Sequence, residues 1–221
     1  MTGLARDGGQ WQLSTPDGVL VCENVLLCTN AYGSNIAELR ATVIPLRTAQ
    51  VASEPLPENK LATILPNGEA ASDTHRLLTS FRITADNRLI MGGASATAGD
   101  DSQSLIRHLH VAAAKRFPLL GAIRWQYGWS GYLALTHNHL PVIQRHDKGL
   151  HSAVGCNGRG IAMATVIGEL LADLVSGASE ADCAVPITSV RRLPMFRLRR
   201  PGVALAVVAN RVLDDLERRL V

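Results

Sequence analysis

Residues 155–161 have the composition of a loop that brings backbone amides close to a ligand. Glycines stand at positions 155, 158 and 160, directly after the apolar run His151–Val154, and an apolar helical pattern follows at once. Glycine lets backbone N–H groups and the positive end of a helix approach an electron-rich group closely. The pattern predicts either such a ligand site or a tight strand-to-helix connection with nothing bound. It is neither G-x-G-x-x-G nor a P-loop, because the spacing differs and no Gly-Lys-Ser/Thr follows.

The segment after this loop has the periodicity of a helix that packs on its neighbours. Small residues recur at every fourth position, which predicts a close neighbour along that stripe. Ser176-Gly177 is a typical helix end, because glycine tolerates the left-handed conformation there. The stripe of small residues consists of Gly160, Ala164, Gly168 and Ala172. The helix also has a broad apolar side, which consists of Ile161, Met163, Val166, Ile167, Leu170, Leu171, Leu174 and Val175.

A second stretch with possible chemistry follows the apolar run Val25–Cys28, which we expect to be a strand buried on both faces. It runs into the small polar residues Thr29, Asn30 and Ala31, and a short helix is expected near Asn35. The carboxyl ends of strands in open α/β sheets are where ligands bind. The end of an ordinary strand, with no ligand bound there, explains the same pattern.

A third stretch is rich in aromatic residues and glycine, within a predicted strand over residues 123–135. Trp129 and Tyr132 would suit an aromatic wall around a cationic amine, or a place in the core. Arg47 and Arg82 also lie on predicted strands. A buried arginine needs an anionic partner there, either a substrate carboxylate or a structural aspartate.

Two H-x-H pairs, His108/His110 and His137/His139, are the only candidates for a metal centre. Neither has a carboxylate, a cysteine or an evident third ligand at a suitable spacing, so we predict no metal. No Ser-His-Asp order stands out, and Gly-x-Ser-x-Gly is absent.

Composition excludes several classes of protein. The chain of 221 residues has a net charge of only +3, which does not favour a nucleic-acid partner. The four cysteines form no C-x-x-C pair, which favours a reduced, cytoplasmic protein. Residues 1–11 lack an apolar signal core, and the longest apolar run near the C-terminus, Val203–Ala209, is too short to span a bilayer. We therefore expect no membrane partner, and the arginines at 191–200 are interpreted as a solvated tail.

The predicted order of elements favours an α+β fold with a mixed or antiparallel sheet rather than repeating βαβ units. The elements are a hairpin over Gln10–Ser14 and Val19–Cys22, strands over 42–51, 77–83, 88–91, 123–135, 142–143 and 150–154, and helices over 102–117, 161–175 and 203–220.

Taken together, these stretches resemble the glycine/D-amino-acid oxidase (DAO) family of FAD-dependent oxidoreductases, and most closely its gamma-glutamylputrescine oxidase-like branch. The resemblance rests on Val25–Gly33, on Trp129-Ser130-Gly131-Tyr132 with Thr136-x-Asn138-x-x-Pro141, on Gly155-x-x-Gly158-x-Gly160-Ile161, and on Asp86–Gly93. It extends from about Trp11 to Gly177.

The family begins with a strand, G-x-G-x-x-G and a helix, and nothing similar stands before Trp11. The resemblance therefore implies the C-terminal part of such an oxidase: a substrate-domain sheet with the C-terminal strand and helix of a Rossmann-like FAD-binding domain. The N-terminal βαβ half would be missing, or supplied by a second chain. The implied segments are 1–40 and 149–180 for the FAD-binding domain, 41–148 for the substrate-binding sheet, and 181–221 for a basic segment and helix.

The resemblance implies FAD as the cofactor, held noncovalently, because Ser130-Gly131 stand where a related branch carries a flavin-bonding cysteine. That branch also has a substrate-binding lysine where this chain has Ala162, so a polyamine derivative is a better expectation than an N-methyl amino acid. The substrate would contact Arg82 and Tyr132. The cofactor would contact Thr29, Asn30, Ala31, Trp129, Gly131, Gly155, Asn157, Gly158, Arg159, Gly160 and Ile161.

The implied reaction is oxidation of the C–N bond of an amine or amino acid, in which a hydride passes to the flavin. Amides of residues 157–161 at a helix start would stabilise negative charge on the reduced ring, and Arg159 would add a positive charge or simply be exposed. The alternative is a non-catalytic remnant or partner subunit that needs another chain to bind flavin.

Overall fold

The computed structural model describes residues 1–35, 39, 41–94, 102–190, 193 and 198–220. They form two compact units: unit 1 is Met1–Pro45 with Leu133–Arg197, and unit 2 is Leu46–Tyr132 with Leu198–Val221. The predicted flavin-side segments 1–40 and 149–180 both lie in unit 1, which also contains residues 133–148. Arg191, Arg192 and Arg197 of the predicted basic tail are outside the described residues.

Strands, alone or in consecutive groups, are separated by helices or 3-10 turns along the described chain. The strands are β1 Gly3–Asp7, β2 Gln10–Thr15, β3 Gly18–Cys22, β4 Val25–Leu27, β5 Ile44–Ser53, β6 Ala70–Ser72, β7 Thr79–Ile83, β8 Leu89–Ala94, β9 Trp125–Leu135, β10 Val142–Asp147, β11 Leu150–Val154 and β12 Ile187–Ser189. The helices are α1 Glu58–Leu61, α2 Ser102–Arg116, α3 Gly160–Val175 and α4 Arg199–Leu220, with 3-10 turns at Asn30–Asn35, Pro118–Leu120 and Glu180–Asp182.

Unit 1 contains two sheets. The first is antiparallel, in the order β1-β2-β3. The predicted hairpin is confirmed, because Thr15 pairs with Gly18 around the turn Pro16-Asp17. The second sheet has the order β12-β10-β11-β4, with β10 and β11 antiparallel and the two outer strands parallel to their neighbours. The short strands β1 and β12 were not predicted, since neither carries a clear alternating pattern.

The core of unit 1 joins its two sheets. Trp11, Val25, Leu27, Leu150 and Val154 are buried together. The prediction that the strand after Asn24 is buried on both faces is wrong, because Leu26 is 36% exposed and the burial of β4 alternates with a period of two.

Helix α3 packs on the second sheet through Ile167 and Leu171, which are buried against Ile143. The predicted apolar side was too broad, because Ile161 is 92% exposed and Val166 is 48% exposed. The predicted helix end is confirmed: Gly177 has φ +101°, and the backbone N–H groups of Ser176, Gly177 and Ala178 donate to carbonyls of the last turn.

Unit 2 is built on a five-stranded sheet in the order β6-β7-β8-β5-β9, in which the β5–β8, β6–β7 and β7–β8 pairs are antiparallel. Helix α2 covers this sheet with Leu105, Leu109 and Ala113, against Val51 and Met91. Val111 falls within the apolar pattern of the helix predicted over residues 102–117, yet it is 55% exposed. The mixed sheets and the helices agree with the predicted combination of helix and sheet.

Helix α4 begins at Arg199, four residues before the predicted start. Pro201 lies in its first turn, where proline is tolerated because the N–H that it lacks has no partner within the helix. Among the described residues, no helix has both the length and the apolar character needed to cross a bilayer.

Candidate active site

The candidate site in unit 1 lies where three chain segments meet after their strands. Because β4 and β11 are parallel, with Leu27 opposite Ser152, their carboxyl ends lie at the same edge of the sheet. Asn30, after β4, then contacts the glycine loop after β11. Its Oδ1 accepts a hydrogen bond from the N–H of Gly155 at 3.3 Å, and its Nδ2 lies 3.3 Å from Cys156 Sγ.

The third segment follows β9 and contacts the same loop through Asn157. The Oδ1 atom of Asn157 accepts from the N–H of Thr136 at 3.0 Å, and its Nδ2 donates to the carbonyl of Gly155 at 2.5 Å and to Thr136 Oγ1 at 3.2 Å. The N–H of Asn157 donates to the carbonyl of Ala134 at 3.2 Å. Thr136 is buried, and its hydroxyl also donates to the carbonyl of Leu140 at 2.7 Å.

Gly155 cannot carry a side chain in this arrangement. Its φ is +85°, and a Cβ there would lie 2.3 Å from Thr136 Cγ2. This half of the loop is a packed corner held by hydrogen bonds. The side chains of Asn30 and Asn157 make these hydrogen bonds within the protein and so position the loop, and their predicted contact with the cofactor stays a prediction.

The second half of the loop, Gly158–Ile161, has different surroundings. Gly158 has φ +87°, and a Cβ placed there would meet no described atom within 4 Å. Arg159, Gly160 and Ile161 are exposed as well. The N–H of Met163 donates to the carbonyl of Arg159 at 3.0 Å, so the amides of residues 160–162 precede the first hydrogen bond within the helix.

This open half fits the flavin that the resemblance implies. The amides at the start of α3 and the positive end of its dipole favour an electron-rich group. Gly158 leaves room for a flat ring beside them, and Arg159 has an exposed positive charge next to that space. Thr29, at the neighbouring strand end, is exposed, whereas Ala31 packs partly on the core.

The small residues of α3 lie on its exposed side. Ala164 and Ala172 are exposed, and a Cβ at Gly160 or Gly168 would have no described atom within 4 Å. Within the described chain, this stripe does not have the close neighbour that its spacing predicts.

Unit 2 carries the other predicted contacts on or near β9. Trp129 is 45% exposed and Gly131 is half-buried. The guanidinium carbon of Arg47 lies 5.0 Å from the centre of the Tyr132 ring, within the range of a cation–π contact. Arg82 is exposed, so the prediction of a buried arginine is wrong at this position. The burial of β7 alternates, and Arg82 falls on its exposed side.

The histidine pairs are not brought into a metal-binding cluster. Among the described residues, no three His, Cys, Asp or Glu side chains are placed to hold a metal ion. His110 stacks on Trp125 with ring centres 4.9 Å apart, and burial lowers the pKa of its imidazole. His137 and His139 are exposed.

Sequence reasoning missed the structural part played by Thr136 and Cys156. Thr136 belongs to the motif that carried the resemblance, but its burial and its contacts with Asn157 depend on a pairing across 21 positions of the chain. Periodicity reports only local spacing, so it contains no signal for that contact.

Comparison with known proteins gives consistent matches over this region. A profile of the DAO family, described as FAD dependent oxidoreductase, matches residues 1–174. The chain is 30% identical over 168 residues to gamma-glutamylputrescine oxidoreductase of Escherichia coli, which covers 75% of this chain and 39% of that protein. It is 25% identical over 223 residues to the probable oxidoreductase OrdL of Haemophilus influenzae, a match that covers 98% of this chain and 47% of that protein.

Solved structures agree on the fold. Glycine oxidase from Geobacillus kaustophilus superposes with a TM-score of 0.65 at 22% identity, over 87% of this chain and 52% of that one. Iminodiacetate oxidase from Chelativorans superposes with a TM-score of 0.65 at 16% identity, over 84% of this chain and 52% of that one. The chain spans about half the length of the curated relatives that it matches. Because the family profile covers most of its residues, the chain belongs to the DAO family of FAD-dependent oxidoreductases.

Proposed function

We propose that this chain forms part of an FAD-dependent oxidoreductase that oxidises the C–N bond of an amine or amino acid. The observation that carries the proposal is the meeting of Asn30, Thr136 and the glycine loop at one edge of unit 1. Three segments that resemble the family's flavin-side motifs contact one another there, although they are far apart in the sequence. When bound, FAD accepts the hydride equivalent from the carbon next to the amine.

The chain's own residues contribute charge and space at this edge. The amides of residues 160–162 and the dipole of α3 stabilise negative charge on a group placed at the helix start. Arg159 adds a full positive charge there. The packed corner at Gly155 and Asn157 fixes the position of those amides, and preorganised donors of this kind need no rearrangement during a reaction.

Unit 2 supplies the proposed substrate contacts. Arg82 is exposed and available to a carboxylate, and Trp129 and Tyr132 offer aromatic surface to an ammonium group. We favour a polyamine derivative as substrate, because Ala162 stands in place of the lysine that holds a carboxylate in a related branch. The similarity to gamma-glutamylputrescine oxidoreductase supports the same substrate class.

We further propose that flavin binding needs a dinucleotide-binding half in addition to the described units. The curated relatives are about twice as long as their matched part. In addition, β4 is an edge strand among the described residues and has Leu26 exposed. The second candidate function, a non-catalytic partner subunit, rests on the same observations.

The test is to purify the chain alone and together with the N-terminal half of the Escherichia coli relative, and to measure flavin absorbance and amine-dependent flavin reduction. We expect flavin in the combined sample, and its reduction by gamma-glutamylputrescine but not by sarcosine. Flavin without reduction by any amine would favour the partner subunit. Two folded halves that associate without flavin would contradict the proposed function.

A further inference from the structure

Helix α4 has its polar anchors on the inner side and its apolar residues on the outer side. Val207 and Asp214, which are seven residues apart and share one face of the helix, are both buried. Asp214 accepts hydrogen bonds from the N–H groups of Arg76 at 3.2 Å and Leu77 at 3.4 Å. Glu217 forms a two-point ion pair with Arg76, with both distances 2.7 Å. These contacts fix which side of the helix faces unit 2.

The outer side is a continuous apolar stripe. Leu205, Val208, Val212 and Leu216 follow one another at spacings of three and four residues and are 72%, 56%, 53% and 50% exposed. Leu213 beside them is 44% exposed. A helix on a soluble unit normally directs such a stripe inward, so an outward stripe marks a surface that binds an apolar partner.

The net charge of the C-terminal segment indicates the partner. Arg199 and Arg200 begin α4, and Arg218 and Arg219 follow Asp214, Asp215 and Glu217 near its end. Residues 184–221 contain eight arginines and three acidic residues, a net charge of +5, whereas residues 1–183 contain 14 basic and 16 acidic residues, a net charge of −2. The positive charge of the chain is thus concentrated around this one apolar helix.

We propose that α4 binds an anionic lipid surface, lying in the plane of the interface with its apolar stripe in the lipid. An amphipathic helix with basic residues is suited to this position. A second copy of the chain on the same stripe is the competing occupant, and the experiment below distinguishes the two. The proposal revises the expectation that the chain has no membrane partner, and it does not depend on flavin binding.

The experiment is co-sedimentation of the full chain with vesicles of phosphatidylcholine, with and without phosphatidylglycerol. We expect binding only when phosphatidylglycerol is present. Removing one charge with Arg200→Gln should weaken that binding about fivefold, since each surface arginine contributes on the order of 1 kcal/mol. Leu205→Asp and Val212→Asp should abolish binding with no change in thermal unfolding, because both side chains are largely exposed.

The matched control is Val111→Asp on α2, since Val111 is 55% exposed and belongs to the same unit. It should bind vesicles as the wild type does. Absence of wild-type binding to phosphatidylglycerol vesicles would overturn the proposal, as would unchanged binding by Val212→Asp. A wild-type dimer that Leu205→Asp dissociates, without vesicle binding, would also overturn it and make this face an interface between copies.

Discussion

The two halves of the glycine loop share a backbone conformation but have opposite surroundings. Gly155 and Gly158 have φ values of +85° and +87°, so both favour glycine for the same reason. At Gly155 a side chain would collide with Thr136, whereas at Gly158 it would meet no described atom within 4 Å. Packing within the chain therefore explains the first glycine but leaves the space at the second unexplained.

Within these seven residues, the first half contributes to folding, and the second half is where we propose that the ligand binds. The first half is held by Asn30, Thr136 and Asn157, so a change there acts on the stability of unit 1. The residues of the second half are exposed, and we propose that a change there acts on flavin binding rather than on stability.

The largest expected effect is that of Gly155→Ala. The new Cβ would lie 2.3 Å from Thr136 Cγ2, at a φ that alanine disfavours. Overpacking and left-handed strain together should lower the free energy of unfolding by about 2–5 kcal/mol. Urea denaturation followed by circular dichroism measures this. Unfolding like that of the wild type would show that the corner is not packed as described.

Asn157→Ala should have the next largest effect on stability. It removes the acceptor for the N–H of Thr136 and the donors to Gly155 and Thr136, within a half-buried corner. Leaving such groups unpaired should cost about 1–3 kcal/mol. The same denaturation experiment applies, with Asn138→Ala as a control, because Asn138 is exposed and its Oδ1 accepts only from the nearby N–H of Leu140.

The comparison also shows what the sequence could predict. The strand, loop and helix over residues 150–177 follow from local spacing and glycine chemistry, and the structure has them within about a residue. Local spacing contains no information on the partner of each side chain. It therefore gave no sign that the side chains of Asn30 and Asn157 hold the loop in place, because their hydrogen bonds join segments that are far apart in the chain.

Exposure was the least predictable property. Ile161, Val166 and Val111 match a helical apolar side, yet they are exposed, because a helix buries only the arc that meets its neighbour. In β7 the side chains alternate between the two faces of the sheet, and Arg82 lies on the exposed face. The presence of an arginine in a strand does not indicate which face of the sheet its side chain is on. Such choices depend on which face of each element the rest of the fold covers.

Gly158→Ala should cost only about 1 kcal/mol of stability, from backbone strain without a collision. Its effect on stability should therefore be clearly smaller than that of Gly155→Ala. Parallel denaturation of the two variants measures the difference. Equal losses would show that the second half of the loop is as tightly packed as the first.

Arg159→Ala should leave the stability of unit 1 unchanged and make a bound flavin harder to reduce, since a nearby positive charge favours the reduced, anionic form. The measurement is the flavin reduction potential of the sample that contains both halves. Arg145→Ala is the control, because Arg145 is exposed and pairs with Glu180. Equal potentials for wild type and Arg159→Ala would place Arg159 away from the flavin.

The smallest expected effect concerns His151 on the strand that leads into the loop. Burial lowers the pKa of its imidazole, so the folded state binds a proton less readily than the unfolded state. The free energy of unfolding should therefore fall as pH drops below the ordinary histidine value near 6.5. Denaturation across that range should show that the free energy of unfolding depends less steeply on pH in His151→Gln than in the wild type. The same pH dependence in both proteins would show that His151 is not the group responsible.

The central claim is that the open half of the loop faces a flavin, and Gly158→Val tests it most directly. Gly177→Val is its matched control, because Gly177 also has a positive φ and open surroundings but lies at the far end of α3. In the sample that contains both halves, bound flavin per protein is measured by absorbance. We predict that Gly158→Val loses most of the flavin while Gly177→Val keeps it. Full flavin and full turnover in Gly158→Val would make the loop a connection only and contradict the claim.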